Sequence, residues 1–193
     1  CGRNVLGYAL MRAREHLGSP AADGETRAGT AGAAEDGVVS GRGVGGGVIS
    51  FYSDREGNEF REFSNFYMHR RPFRFVLPAF AMRDGVPASI WCEFSEKAIM
   101  ATKAALMGDL ESFRSIETSV DPWSCKVLGR GVRDFDEELW QAHLEEVAFE
   151  VVRQKFASEE PLRQLLLSTG GAIIAEAAPN DTPSCAPGST SPQ

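Results

Sequence analysis

The residues best suited to chemistry sit in one stretch, Ser89 to Asp109, SIWCEFSEKAIMATKAALMGD. It reads as a strand end running into a long helix. At 3.6 residues per turn, Glu96, Met100, Lys103 and Met107 fall on one line, with Ile99 and Leu106 beside them. Phe94, Ala98, Ala101 and Ala105 take the opposite side. A helix apolar on nearly every side is a buried one, and a buried glutamate is rare unless paired or functional. Glu96 and Lys103 lie about 10 Å apart along the axis at 1.5 Å per residue. That is too far for a tight ion pair and suits two groups holding different ends of one ligand. If the stripe borders solvent instead, both charges are simply hydrated. A second polar feature is Ser64-Asn65 inside the aromatic run FREFSNFY, Phe60 to Tyr67. It either sets an amide side chain at a pocket edge or makes an ordinary turn or helix cap.

The elements that must position these groups follow from periodicity and punctuation. Residues 1–17 make an amphipathic helix in which Val5, Leu6, Ala9, Leu10, Ala13 and Leu17 repeat at three- and four-residue intervals, with Arg12 and Arg14 off the stripe. A helix this short needs a surface to dock on. Residues 18–47 are rich in Gly, Ala, Ser and Thr and read as a flexible linker. Their end, Gly41 to Gly47, lacks the Lys-Ser/Thr and the helix that would make it a phosphate loop. Strands are predicted at Val48–Tyr52 and Phe73–Leu77, and an Asp84-Gly85 turn leads into the strand before Glu96. They imply a small, mostly antiparallel sheet ahead of the Glu96 helix. Gly108-Asp109 ends that helix. Asp121-Pro122 starts another, with Asp121 as N-cap and Pro122 in the first position. Asp136 caps the next, whose Glu137 and Glu138 suit a helix N-terminus, and it runs to about Phe156. Ser158 opens a last helix through Leu167, Thr169-Gly170-Gly171 stops it, and Ala172–Ala177 is a strand in which Glu176 faces a pocket or water. The tail beyond Pro183 is Ser/Pro/Gly-rich and reads as disordered. Strands, then helices, then a strand indicate an α+β fold.

Composition narrows the partners. A net charge of -7 argues against broad nucleic-acid binding, which needs a basic face, but leaves room for a local basic pocket. No apolar run is long enough to span a membrane. The four cysteines, Cys1, Cys92, Cys125 and Cys185, are scattered, so a reducing compartment, the cytoplasm, is the expectation. His16, His69 and His143 have no metal-ligand spacing. A first residue of Cys suggests a fragment, a processed chain or an imperfect gene boundary.

Several short elements recur in order between Ile49 and Asp181: FSNFY (Phe63–Tyr67), Ser95-Glu96-Lys97, Lys103-Ala104, Gly108-Asp109, Leu128-Gly129-Arg130 preceded by Lys126, FDEELW (Phe135–Trp140), Lys155-Phe156, LLLSTGG (Leu165–Gly171) and EAAPND (Glu176–Asp181). In these the chain resembles the NADAR family, the YbiA-like N-glycosidases. It departs from the family in three ways. Many members have His where Lys97 stands. The W-G-x-G expected after EAAPND is missing. The family's closing helix, G-x-N-x-L-G-x-A-L-M-x-x-R-E-x-L, is found at the start, as Gly2, Asn4, Leu6-Gly7, Ala9-Leu10-Met11, Arg14-Glu15 and Leu17. Either that helix is the end of a preceding copy in a tandem array, or the domain is circularly permuted and the helix folds back into it. A linker of roughly 30 residues reaches about 30 Å, enough for the second. The resulting organisation is a helix at 1–17, a linker at 18–47, the NADAR domain at 48–182 and a tail at 183–193.

The resemblance implies hydrolysis of the bond between a (phospho)ribose and a nitrogen base. The substrates it implies are ribosylamino-pyrimidine phosphates of the riboflavin pathway or ADP-ribose on a nucleobase. Loss of a base leaves an oxocarbenium-like sugar that a carboxylate must stabilise. Glu96 takes that role, and Asp181 is a second carboxylate for the ribose hydroxyls or the water. Lys97, Lys103 and Arg130 are the candidates for phosphate. Asn65, Phe66, Trp91 and Trp123 are the candidates for the base, while Trp140 reads as a packing residue. No cofactor and no metal are implied, and the partner is a small ribosyl phosphate or ADP-ribosyl ligand, nucleic acid entering only if ADP-ribosylated bases are the substrate. The missing W-G-x-G supports a rival: a non-catalytic ADP-ribose- or NAD-binding module of the same fold.

Overall fold

The computed structural model describes residues 4–19 and 47–177. The order is α1 (Val5–Gly18), β1 (Val48–Phe51), β2 (Phe73–Val76), β3 (Ser89–Cys92), α2 (Ser95–Met107), α3 (Leu110–Glu117), α4 (Pro122–Arg130), α5 (Glu137–Ala157), α6 (Glu160–Ser168) and β4 (Ile173–Glu176). The α+β class stands. The strands, however, form two pairs where one mostly antiparallel sheet was expected. β2 and β3 are antiparallel, with Phe73 opposite Cys92 and Val76 opposite Ser89. β1 pairs in parallel with β4, Val48 opposite Ile173 and Phe51 opposite Glu176. Sequential strands usually neighbour each other. Here β1 bypasses β2 because Phe51 belongs to a different core from Phe73 and Phe75.

Helix α5 separates and joins those two cores. Trp140, Val147 and Val151 face α2, α3, α4 and the β2–β3 pair. Ala148, Phe149, Val152 and Phe156 face α1, α6, β1 and β4. A helix apolar on both sides in its second half must lie between layers. Both predicted caps are present: Asp121 accepts from the Ser124 amide at 2.8 Å and Asp136 from the Leu139 amide at 2.9 Å. The cap of α6 is Glu159, one residue beyond the predicted Ser158, which instead turns its hydroxyl to the Lys155 carbonyl at 2.6 Å. At the far side of β2, the Gln154 side chain accepts from the Val76 amide at 2.8 Å and donates to the Val76 carbonyl at 3.0 Å.

α1 packs into the same domain. Leu6, Ala9, Leu10, Ala13 and Leu17 are buried, as the periodicity predicts, and the helix runs on to Gly18. Gly7 is required by the approach to β4, since a Cβ there would lie 2.2 Å from the Ile174 carbonyl oxygen. Asn4 joins the two elements: its Oδ1 accepts from the Gly7 amide at 3.1 Å and its Nδ2 donates to the Ile174 carbonyl at 2.9 Å. Arg14 reaches Thr169 Oγ1 at 2.9 Å and the Ala172 carbonyl at 2.8 Å. Residues 20–46 of the predicted linker and the predicted tail at 183–193 lie outside the described residues.

One buried polar side chain stands out between the cores. His69 is packed against Tyr67 and Phe73, with ring centroids 5.3 and 5.0 Å away, and neither ring nitrogen has a hydrogen-bond partner. Burial, helped by the Lys155 charge, lowers its pKa to about 3.

Two outcomes follow. Removal of residues 1–47 lowers the melting temperature sharply, and Leu10→Ala alone costs about 2–5 kcal/mol in urea unfolding; an unchanged melting temperature in the truncated chain would show that α1 is dispensable. For His69 the unfolded chain binds a proton below a pH of about 6.5 while the folded one stays neutral until about 3. Its contribution is therefore complete above about 6.5 and is lost as pH falls towards 3. His69→Phe flattens the acid limb of stability against pH in that window, and an unaltered limb contradicts the assignment.

Candidate active site

The site is assembled where the first turn of α2 meets the Ser64-Asn65 loop. A short 3-10 turn, Arg61–Phe63, sends the Phe63 ring into the core between Phe51 and Phe156, and the chain turns outward after it. The Ser64 hydroxyl accepts from the Phe66 amide at 3.1 Å, tightening the turn. The Asn65 carbonyl then accepts the Glu96 amide at 3.0 Å. That amide is one of the N-terminal donors an α-helix leaves without an intrahelical partner. α2 has no side-chain cap at Phe94, so the loop backbone serves in its place.

Glu96 is only 5 % exposed. It faces a cleft of about 350 Å³ whose polar groups are Asn65, Glu96, Lys126 and Glu176. The apolar wall comes from Ile99 and Met100 of α2, Trp140 and Val147 of α5, and Val5 and Leu6 of α1. Burial pushes the Glu96 carboxyl above its ordinary range; Lys126 opposes this, the Glu176 charge adds to it, and Arg130 opposes it in turn. Glu176, at the end of β4, is an exposed residue on the rim of the cleft; partial desolvation of its carboxyl there raises its proton affinity and Lys126 opposes this. Two carboxyls with raised proton affinity thus share a lysine. Lys126 reaches this position because α4 lies directly on α2 at Gly129, where a Cβ would stand 2.0 Å from Met100 Sδ.

The structure brings some of the predicted residues together and disperses others. Glu96 and Asn65 share the cleft. Phe66 lies beside it, its ring centroid 5.3 Å from Lys126 Nζ. Arg130 is exposed one turn beyond Lys126 on α4. Lys97 points elsewhere: it is buried and ion-paired with Glu93. Lys103 donates to the Gly129 carbonyl at 2.8 Å, with its ammonium 4.0 Å from the Phe135 ring, so it holds α4 and the cleft lacks it. Trp91 is exposed on the outer face of β3, in a separate shallow groove with Arg74 and Arg153. Trp123 is exposed in the first turn of α4. Asp181 lies outside the described residues. Sequence reasoning passed over Lys126 as a site residue and took Trp140 for packing alone. The available signal for Lys126 was its four-residue spacing from Arg130, which sets both on one helical face.

Residues 50–183 match the NADAR domain family. The chain is 38% identical over 87 residues to an N-glycosidase of Acanthamoeba polyphaga mimivirus, a match covering 45% of this chain and 51% of that protein. It is 33% identical over 89 residues to the Caenorhabditis elegans protein irg-1, covering 45% of this chain and 42% of the other. The chain spans about half the length, or less, of these curated relatives. Among solved structures it is similar to the NMR structure of the E. coli protein YbiA, with 27% identity and a TM-score of 0.52 over 70% of this chain and 69% of that one.

The electrostatics of the cleft are open to direct measurement. Lys126→Gln removes the leading positive charge acting on Glu96, so the Glu96 carboxyl must titrate at higher pH than in the parent. Carbon-13 NMR of the side-chain carboxyl during a pH titration reads this, and a downward or absent shift would place Lys126 away from Glu96.

Proposed function

The chain belongs to the NADAR domain family, and from that premise we propose that it is an N-glycosidase. It hydrolyses the bond between C1′ of a (phospho)ribose and the nitrogen of a base, as in ribosylamino-pyrimidine phosphates or ADP-ribosylated nucleobases. The observation that carries the reading is a buried glutamate, Glu96, facing a second carboxyl and a lysine in a cleft large enough for a sugar.

In this reaction the base departs with the electrons of the C1′–N bond, and positive charge develops on the sugar ring. Water adds to C1′, and the proton it sheds balances the one the base gains. Glu96, held by the helix start, stabilises the developing charge and accepts the proton from water. Burial raises its proton affinity, which strengthens it as the base that takes the proton from water. Lys126, with Arg130 one turn further on, takes a phosphate of the ligand. This replaces Lys97 and Lys103, whose partners are protein groups. Asn65 supplies an amide to the sugar or base, and Phe66 and Trp140 supply aromatic surface. Glu176 orders the ribose hydroxyls, and Asp181, close behind it in sequence, is proposed to share that work. Ile99, Met100 and Val147 keep bulk water from the reacting carbon.

The test is incubation with a ribosylamino-pyrimidine phosphate and with an ADP-ribosylated nucleobase, followed by mass spectrometry. Free base together with sugar phosphate or ADP-ribose is expected. Glu96→Gln is expected to fold and to lose about 10²–10⁴-fold in turnover. Binding with no product in the parent chain would support the non-catalytic module instead, and full activity in E96Q would remove Glu96 from the mechanism.

A further inference from the structure

Lys155 is a lysine with no place in the chemistry above, yet it is 1% exposed, on the last turn of α5. Its ammonium lies between the rings of Tyr67 and Phe156, at 5.6 and 5.3 Å. Its hydrogen bond goes to the Ser64 carbonyl oxygen at 2.9 Å. Among the described residues no carboxylate forms an ion pair with it, Glu62 acting only at longer range. Burying an ammonium without a counter-ion is strongly unfavourable, and a methionine would fill nearly the same volume without that penalty. Packing therefore explains the length of this side chain but leaves its amino group unexplained.

What the amino group holds is the residue next to Asn65. The Ser64 carbonyl also accepts the Tyr67 amide at 3.3 Å. The following carbonyl, that of Asn65, accepts the Glu96 amide at 3.0 Å. Consecutive peptide groups are thus fastened to α5 on one side and α2 on the other, and the Asn65 side chain projects into the cleft from between them. We propose that Lys155 is a positioning residue for the Glu96 site, fixing the Ser64 carbonyl so that Asn65 keeps both its side chain in the cleft and its carbonyl on the first turn of α2. The catalytic consequence rests on the reading of this cleft as the active site. Charged and titratable groups around Lys155 are Glu62 and Tyr67 of the loop and His69, which stays neutral. Burial lowers the Lys155 pKa to about 7, opposed by Glu62. The amine donates a hydrogen bond in either protonation state, so a rise in pH leaves the tie in place and only substitution removes it.

The experiment uses the full chain with Lys155→Met, Asn65→Ala, the double variant and Glu96→Gln. Amide hydrogen exchange read by NMR is expected to show at least tenfold faster exchange at Glu96 in K155M, with Val147 and Val151 of α5 unchanged. Turnover is expected to fall through kcat, and the double variant to be no slower than N65A alone, because a residue acting through Asn65 has nothing further to lose. Unchanged Glu96 protection in K155M, or fully additive losses with N65A, would overturn the proposal. If K155M does not melt cooperatively, the parent chain decides: a coupling across the hydrogen bond between the Lys155 ammonium and the Ser64 carbonyl carbon is expected, and its absence refutes the tie. Activity retained in E96Q would refute the active-site reading alone, leaving the exchange data to judge Lys155.

Discussion

A glutamate that is 5 % exposed has to be held in place by everything around it. Glu96 makes no hydrogen-bonded ion pair in the described structure; its environment consists of the Lys126, Glu176 and Arg130 charges and a wall of apolar carbon. The contact that fixes it is a backbone hydrogen bond, Glu96 amide to Asn65 carbonyl, which anchors the start of α2 on a loop rather than on a side-chain cap. Move the loop and the helix loses its first turn; move the helix and the loop loses its anchor. Much of the remaining architecture serves that joint. Phe63 seats the loop in one core and Ala98 and Ala101 seat the helix in the other. α5 runs between the cores and touches both.

The same arrangement explains why α1 matters to a site it contains no polar part of. Val5 and Leu6 supply a side of the cleft, and Asn4 ties α1 to β4, the strand that carries Glu176. Docking of the helix thus sets the distance between two carboxyls although it contributes neither. A chain segment separated from the rest of the domain by a long interval still shapes the pocket, through steric closeness at Gly7 and one bifunctional amide.

Much of this was legible before the structure. The buried stripe of α1 was read almost residue for residue, because a 3.6-residue repeat is a local signal. Asp121 and Asp136 were read as caps for the same reason, and Glu96 with Asn65 stood out as polar groups in apolar surroundings. Lys97 and Lys103 were read as ligand groups on type and proximity. Their partners, Glu93 and the Gly129 carbonyl, show why that fails: a lysine stem is long enough to reach a protein acceptor away from the side of the helix it starts on. The β1–β4 pairing could not be read at all, since a parallel contact between Val48 and Ile173 leaves no trace in either four-residue strand. The reach of Lys126 over Glu96 depends on the absence of a single β-carbon at Gly129, which a sequence displays without explaining.

The outer margin of the β2–β3 pair has a consequence of its own. A two-stranded ribbon leaves main-chain donors and acceptors along its rim, and such a rim invites another extended segment to add itself. Here the Gln154 amide engages the Val76 N–H and C=O at once, as a neighbouring peptide would. A side chain from a helix thus counterfeits one residue of a third strand and ends the sheet. Strand addition is blocked at the last rung of β2, while the one charged residue of that strand, Arg74, turns to the Ser89 hydroxyl of β3.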